Sequence, residues 1–157
     1  MRYIFDLDHT VIDSSHRQAT LPDGSLDLDH WRENSTAGMI RRDKLLPLAR
    51  VWREQFARGN EIVVCTARVI GQADMDYLAN AGLHFDALLS RQEGDTTPDD
   101  ELKLRMLRRY STAKRGSWRR FCNFSLMFDD NQSVIKTLSD HGLKCYDALE
   151  INARLAA

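Results

Sequence analysis

Five short runs rich in apolar and β-branched residues, separated by stretches of helical spacing, constrain this chain more than any other feature. The runs are Arg2–Phe5, Glu61–Cys65, Asp86–Leu89, Ser125–Phe128 and Leu143–Tyr146. Within Lys44–Arg58 the residues Leu45, Leu48, Val51, Trp52 and Phe56 recur every three or four positions, the period of one helix face. Gly71–Asn80, Asp99–Tyr110 and Gln132–His141 repeat the pattern. Gly59, Gly82 and Gly142 each follow such a run, where a helix C-terminus favours glycine. Nearly continuous apolar strands alternating with helices predict an α/β fold, a parallel sheet covered on both faces. Two segments break the alternation. Asp13–Arg42 is polar, holds Pro22 and Gly24, and far exceeds the usual βα loop of ~2–6 residues. It reads as a flap or small cap inserted after the first strand, with a short helix around Asp29–Arg32. Thr112–Cys122 reads as a loop between helix and strand.

The chain has 157 residues, which matches one α/β domain over residues 1–157 with 13–42 as its insert. Hydrophobic residues at 43% and charged residues at 29% exclude wholesale disorder. No apolar run approaches the ~20 residues that span a bilayer, so no membrane partner is expected. Asp6 and Asp8 precede any signal-like apolar region, and Cys65, Cys122 and Cys145 are too scattered for a disulfide framework. A cytoplasmic location is the expectation. Basic and acidic side chains number 22 and 23, so bulk charge selects no partner.

In an open parallel sheet, ligands bind beyond the carboxyl ends of the strands. Asp6, Asp8 and Thr10 follow the first strand, and Thr66 and Arg68 follow the second. Arg91 follows the third, with Lys103 on the next helix, and Asp129 and Asp130 follow the fourth. Carboxylates from two strands suit a hard cation such as Mg²⁺, and cations beside it suit a phosphate. Singly, each residue has a plainer use: Asp6 and Asp8 in a turn, Thr66 or Asp129–Asp130 as a helix cap, Lys103 on a solvated face. Their order at successive strand ends favours the shared site.

These residues resemble the four motifs of the haloacid dehalogenase (HAD) superfamily of phosphohydrolases. Asp6-Leu7-Asp8-His9-Thr10 matches its Asp-x-Asp-x-Thr motif, with His9 where glycine is most common. Thr66, Lys103 and the acidic pair of LMFDDN match the other three. The resemblance implies a Rossmann-like HAD fold, with Asp6 as nucleophile forming an aspartyl-phosphate and Asp8 as general acid and base. It places Mg²⁺ on Asp6, the Asp8 backbone carbonyl and Asp130, with Asp129 in support. Thr66 and Lys103 would bind the transferring phosphoryl group, and Asp99 would orient Lys103. The segment from Ser90 to Lys103 is also similar to the phosphatase domain of phage polynucleotide kinase–phosphatases. By that likeness Thr10, Arg68, Arg91 and Asp99 belong to the substrate site.

No glycine begins a GxxxxGK[ST] loop, so no ATP-binding kinase domain of that kind is expected. From Lys103 to Arg120 there are eight cations and no acid, with Tyr110 and Trp118 interleaved. Such a stretch suits single-stranded nucleic acid, or forms a solvated face. The leading expectation is a Mg²⁺-dependent polynucleotide 3′-phosphatase. Its rival is a nucleotidase for (deoxy)nucleoside monophosphates, or another small-metabolite phosphatase, in which Trp31 and His30 of the insert close over a base. A binding module on a dead phosphatase scaffold is a third reading, and the intact acids oppose it.

Overall fold

A computed structural model describes all 157 residues. The chain begins with β1 (Arg2–Phe5), β2 (Ile12–Asp13), a 3-10 turn at Ser15–Arg17, α1 (Leu28–Glu33), α2 (Ala37–Ile40) and β3 (Lys44–Leu45). It continues through α3 (Leu48–Ala57), β4 (Glu61–Thr66), α4 (Gln72–Asn80), β5 (Ala87–Ser90) and α5 (Asp99–Ala113). The last part holds α6 (Trp118–Asn123), β6 (Ser125–Asp129), α7 (Gln132–Asp140), β7 (Lys144–Asp147) and α8 (Ala148–Ala156). Five strands form one parallel sheet in the order β5-β4-β1-β6-β7, while β2 and β3 pair antiparallel as a separate ribbon. This is the Rossmann-like α/β arrangement expected from the alternating runs.

Successive strand residues face opposite sides of the sheet, and the core divides accordingly. Phe5, Ile62, Val64 and Phe128 pack with Leu48 and Trp52 of α3, Leu78 of α4 and Ala148 of α8. Ile4, Val63, Cys65 and Met127 pack with Leu107 of α5, Phe121 of α6, and Val134 and Leu138 of α7. Trp52 anchors the first layer. It is wholly buried, stacks on Phe5 at 5.2 Å and donates its indole N–H to the His84 carbonyl at 2.6 Å. Left-handed backbone at Gly59, Gly82 and Gly142, φ 78°, 67° and 92°, ends α3, α4 and α7 where a Cβ would strain the turn.

Two local expectations are corrected. Lys44–Leu45 is a strand and not the start of a helix, because it hydrogen-bonds to Ile12–Asp13 at the neck of the insert. Helix α3 starts behind Pro47, whose fixed φ suits a helix entry. Thr112–Cys122 is not all loop: Ser117 caps α6, accepting a hydrogen bond from the Arg120 N–H at 3.2 Å. The insert carries the expected short helix as α1 and a further turn, α2.

Strand β1 lies at the centre; the chain runs from it to β4 and β5 on one side, then crosses back to β6 and β7 on the other. The crevice beyond its carboxyl end is where strand order diverges, the usual ligand position in such sheets.

Candidate active site

Three neighbouring strands deliver the acids and the hydroxyl. Asp6 follows β1, Thr66 ends β4, and Asp129 and Asp130 stand at the end of β6. The chain after Asp6 turns sharply because the Leu7 carbonyl accepts from the N–H groups of Thr10, Val11 and Ile12. His9 takes φ 57° in that turn, which accounts for glycine being common at this position in the resembling motif. The turn sends the chain into β2 and the insert.

Lys103 reaches in from α5 with its side chain 3% exposed. Its ammonium lies 2.7 Å from Asp129 Oδ2 and 3.0 Å from Asp6 Oδ1. Burial disfavours its charge, but Asp6 and Asp129 outweigh that and raise its pKa above the ordinary value. Oxygens of Asp6, Asp129 and Asp130 all lie within 4.8 Å of one another. Burial, together with the charges of Asp129 and Asp8, pushes the Asp6 carboxyl up to about 7 against the pull of Lys103. Burial and the charge of Asp6 push Asp130 to about 6. This crowding of carboxyl oxygens suits a hard divalent cation, which would relieve their repulsion. Asp129 is already used: Oδ2 takes Lys103, and Oδ1 accepts the Asn131 N–H at 3.0 Å. Asp6 faces the same Lys103 through Oδ1 alone and Asp130 makes no salt bridge, so these two carboxylates would hold a metal most directly.

Asp8 stands apart from that cluster. Arg68 Nε donates to Asp8 Oδ2 at 3.1 Å, a second guanidinium nitrogen donates to Oδ1, and Ser14 Oγ donates to Oδ1 at 2.6 Å. Burial opposes the charged form of Asp8, yet Arg68 and Ser14 prevail and hold its pKa below the usual carboxylate range. Its side chain is therefore no metal ligand in this arrangement, which leaves only its backbone carbonyl for that part. Arg68 is in turn oriented by Asp74, 2.5 Å from Nη1.

Other expected site residues are placed differently. Thr10 is wholly buried, its Oγ1 without a hydrogen-bond partner. Arg91 spends its nitrogens internally, donating to the carbonyls of Ala67, Asp95 and Thr97 and to Asp99 Oδ1 at 2.8 Å. Asp99 thus orients Arg91, and Asp129 and Asp6 orient Lys103. Thr66 is 1% exposed at the strand end, and its Oγ1 accepts the Arg68 N–H at 3.0 Å.

The insert is fastened over this edge by groups that carried no signal in the sequence. Arg17 is buried and donates from Nε and Nη2 to the two oxygens of Asp43, each at 2.9 Å. His16 Nε2 lies 2.7 Å from the same Asp43, and Tyr77 donates to the Asp43 carbonyl at 2.9 Å, tying the insert to α4. The Trp31 ring on α1 has the Arg17 guanidinium 4.1 Å from its centroid and the Arg68 guanidinium at 5.5 Å. A lone Arg and a lone Asp in a polar segment look like surface, and only folding reveals their pairing.

A Rossmann-like sheet with an aspartate at the end of β1, a hydroxyl on β4, a lysine on α5 and an acidic pair on β6 defines a HAD-type phosphohydrolase. The model of the bacteriophage T5 5′-deoxynucleotidase family matches residues 1–157, and the chain belongs to that family. It is 29% identical over 167 residues to the 5′-deoxynucleotidase of Escherichia phage T5, covering 95% of this chain and 67% of that protein. Among solved structures it is similar to a HAD-like hydrolase from Streptococcus pneumoniae, with TM-score 0.67 and 14% identity over 96% of this chain and 90% of that one. It is also similar to a chain of the Pnkp1/Rnl/Hen1 RNA repair complex, with TM-score 0.61 and 20% identity. That match covers 93% of this chain but 41% of the other, and at this identity it speaks for the fold alone.

Proposed function

We propose that this phosphohydrolase is a Mg²⁺-dependent nucleotidase that removes the 5′-phosphate from deoxynucleoside monophosphates. The family match over residues 1–157 is the observation that carries this reading. It favours the nucleotidase that stood as the rival at the level of sequence over the polynucleotide 3′-phosphatase. Two features of the site support it. Arg91, which carried the polynucleotide resemblance, is consumed by its own backbone and Asp99. The insert places Trp31 beside Arg68, where an aromatic ring suits a nucleobase.

In this mechanism the Asp6 carboxylate attacks phosphorus, the bond to the nucleoside oxygen breaks, and an aspartyl-phosphate forms. Lys103 and Thr66 hold the transferring phosphoryl oxygens. Asp8 gives a proton to the leaving oxygen and recovers one from the water that hydrolyses the acyl phosphate, so turnover consumes none. Arg68 and Ser14 keep the resting Asp8 ionised. An incoming phosphate dianion opposes that charge and favours the protonated form needed for the first step. Mg²⁺, held by Asp6 and Asp130 with Asp129 behind them, would neutralise charge on the phosphoryl oxygens when bound.

The test compares kcat/KM for 5′- and 3′-deoxynucleoside monophosphates with that for 5′- and 3′-phosphorylated oligonucleotides. A preference of at least ~10-fold for the 5′-mononucleotides is expected. Preference for the 3′-phosphorylated oligonucleotide would restore the polynucleotide reading in its place.

A further inference from the structure

Beyond Lys103, the cation-rich segment that runs to Arg120 contributes no residue to the site just described. Helix α5 starts at the active site and ends at the opposite edge of the sheet. Lys114, just past its end, lies 3.6 Å from Glu61, the first residue of β4. Ten residues separate Lys103 from Ala113, about 15 Å at ~1.5 Å per helical residue. The cations of this segment consequently sort into two groups. Lys103 serves the catalytic edge and Arg105 is paired with Asp95 at 2.5 Å. Arg108, Arg109, Arg115, Arg119 and Arg120 are exposed and make no salt bridge.

Arg108 and Arg109 lie on α5, Arg115 in the connection that follows it, and Arg119 and Arg120 on α6. Arg108, Arg109, Ser111, Thr112 and Trp118 line an open cleft of about 410 Å³. Arg108 lies over the Trp118 ring, 5.1 Å from its centroid, and Trp118 is braced by stacking on Phe121 at 5.3 Å and by donating to the His141 carbonyl at 2.7 Å. Five guanidinium groups without an acidic partner make this stretch locally cationic on a chain of net charge −1, which favours an anionic ligand. Guanidinium groups fork onto phosphates and offer flat faces to bases, and an indole beside them extends that flat surface.

We propose that this α5–α6 surface is a second, non-catalytic site that binds the backbone of single-stranded nucleic acid. The run of phosphates along a strand matches five cations in one stretch better than a single phosphate does. The site is independent of the nucleotidase reading, because none of its residues touches the catalytic edge.

The test uses the whole chain and a fluorescein-labelled 20-mer of deoxythymidylate without a terminal phosphate, so that the catalytic site has nothing to hydrolyse. Fluorescence anisotropy should show binding that weakens with salt, with a log–log slope of roughly −2 to −3.5 for three to five phosphate contacts. R108E/R109E and, separately, R119E/R120E should each weaken binding at least 10-fold. Both variants should keep wild-type melting temperature and wild-type hydrolysis of deoxynucleoside monophosphates. If one pair perturbs the fold, the other still decides. Absence of binding at 50 mM salt, or undiminished binding by both folded variants, would overturn the proposal. So would competition by a mononucleotide, which would put the strand in the active site, or capture by anionic lipid vesicles without capture of the oligonucleotide.

Discussion

Asp6 pairs with Lys103 at 3.0 Å, and the proposed mechanism adds two demands, nucleophile and metal ligand. Asp6→Asn keeps the shape and removes the anion, so hydrolysis should fall on the order of 10³-fold or more while the circular dichroism spectrum is unchanged. Retained activity would refute the aspartyl-phosphate route. Lys103 and Arg91 looked like two substrate cations in the sequence, and the structure separates them. Lys103→Ala should lower kcat with little change in KM, since in the proposed mechanism its charge acts on the transferring phosphoryl group. Arg91→Ala should act through stability, by about 1–3 kcal/mol, because it strands the carbonyls of Ala67, Asp95 and Thr97. Equilibrium urea unfolding beside steady-state kinetics distinguishes the two. Glu61 gives a pH-dependent case away from the site. Desolvation works against its charge, but Tyr110 and Arg2 prevail and hold its pKa below the ordinary 4.5. A depressed carboxylate stabilises the fold above its unfolded pKa, and that share is lost as pH falls through the folded value. Glu61→Gln should therefore be less stable than wild type at pH 6, with the gap closing below about pH 4 in thermal melts.

At the level of elements, the insert between β2 and β3 is the piece whose role depends on how it is fastened. Its own helices α1 and α2 span six and four residues and would be marginal alone. The buried Arg17–Asp43 pair supplies what their length does not. Breaking it with Arg17→Ala leaves Asp43 buried without its main partner, a loss of ~3–5 kcal/mol in comparable pairs. Limited proteolysis should then cut within residues 18–42 before the sheet unfolds. Trp31→Ala tests the insert as a base-facing surface. KM for deoxynucleoside monophosphates should rise severalfold, with p-nitrophenyl phosphate turnover unchanged. Equal losses on both substrates would make Trp31 a packing residue only.

For the whole molecule, the parallel sheet brings residues 6, 66, 103 and 130 to one edge and sends the far end of α5 to the other. That separation allows one chain to carry a phosphate-ester site and a distinct cationic face. The acidic edge crowds oxygens of Asp6, Asp129 and Asp130 within 4.8 Å of one another. A cation bound by folded but not unfolded chain stabilises by RT ln(1 + [L]/Kd), so 100-fold saturation gives about 2.7 kcal/mol. Mg²⁺ should raise the melting temperature of the wild type and leave that of Asp130→Ala nearly unmoved. A shift of equal size in both would remove Asp130 from the metal site. No helix of the chain is long and apolar enough to cross a membrane.

The strands, the main helices and the order of the acids were legible in the sequence because each depends on local period or on position after a strand. Alternating apolar runs can satisfy both faces of a sheet in only a few ways, and a strand end fixes where the next residue emerges. The neck of the insert was not legible, since Lys44–Leu45 continues a helical apolar pattern and becomes strand only through pairing with Ile12–Asp13. Side-chain partners were equally hidden. Whether Arg91 faces a phosphate or its own loop, whether Asp8 meets a metal or Arg68, and whether Arg17 is surface or core depend on distances between segments far apart in the chain. A charge is indifferent to sequence position and answers to the nearest opposite charge in space. Residue order therefore determined which groups reach the catalytic edge, and tertiary structure alone decided which of them were left free to act.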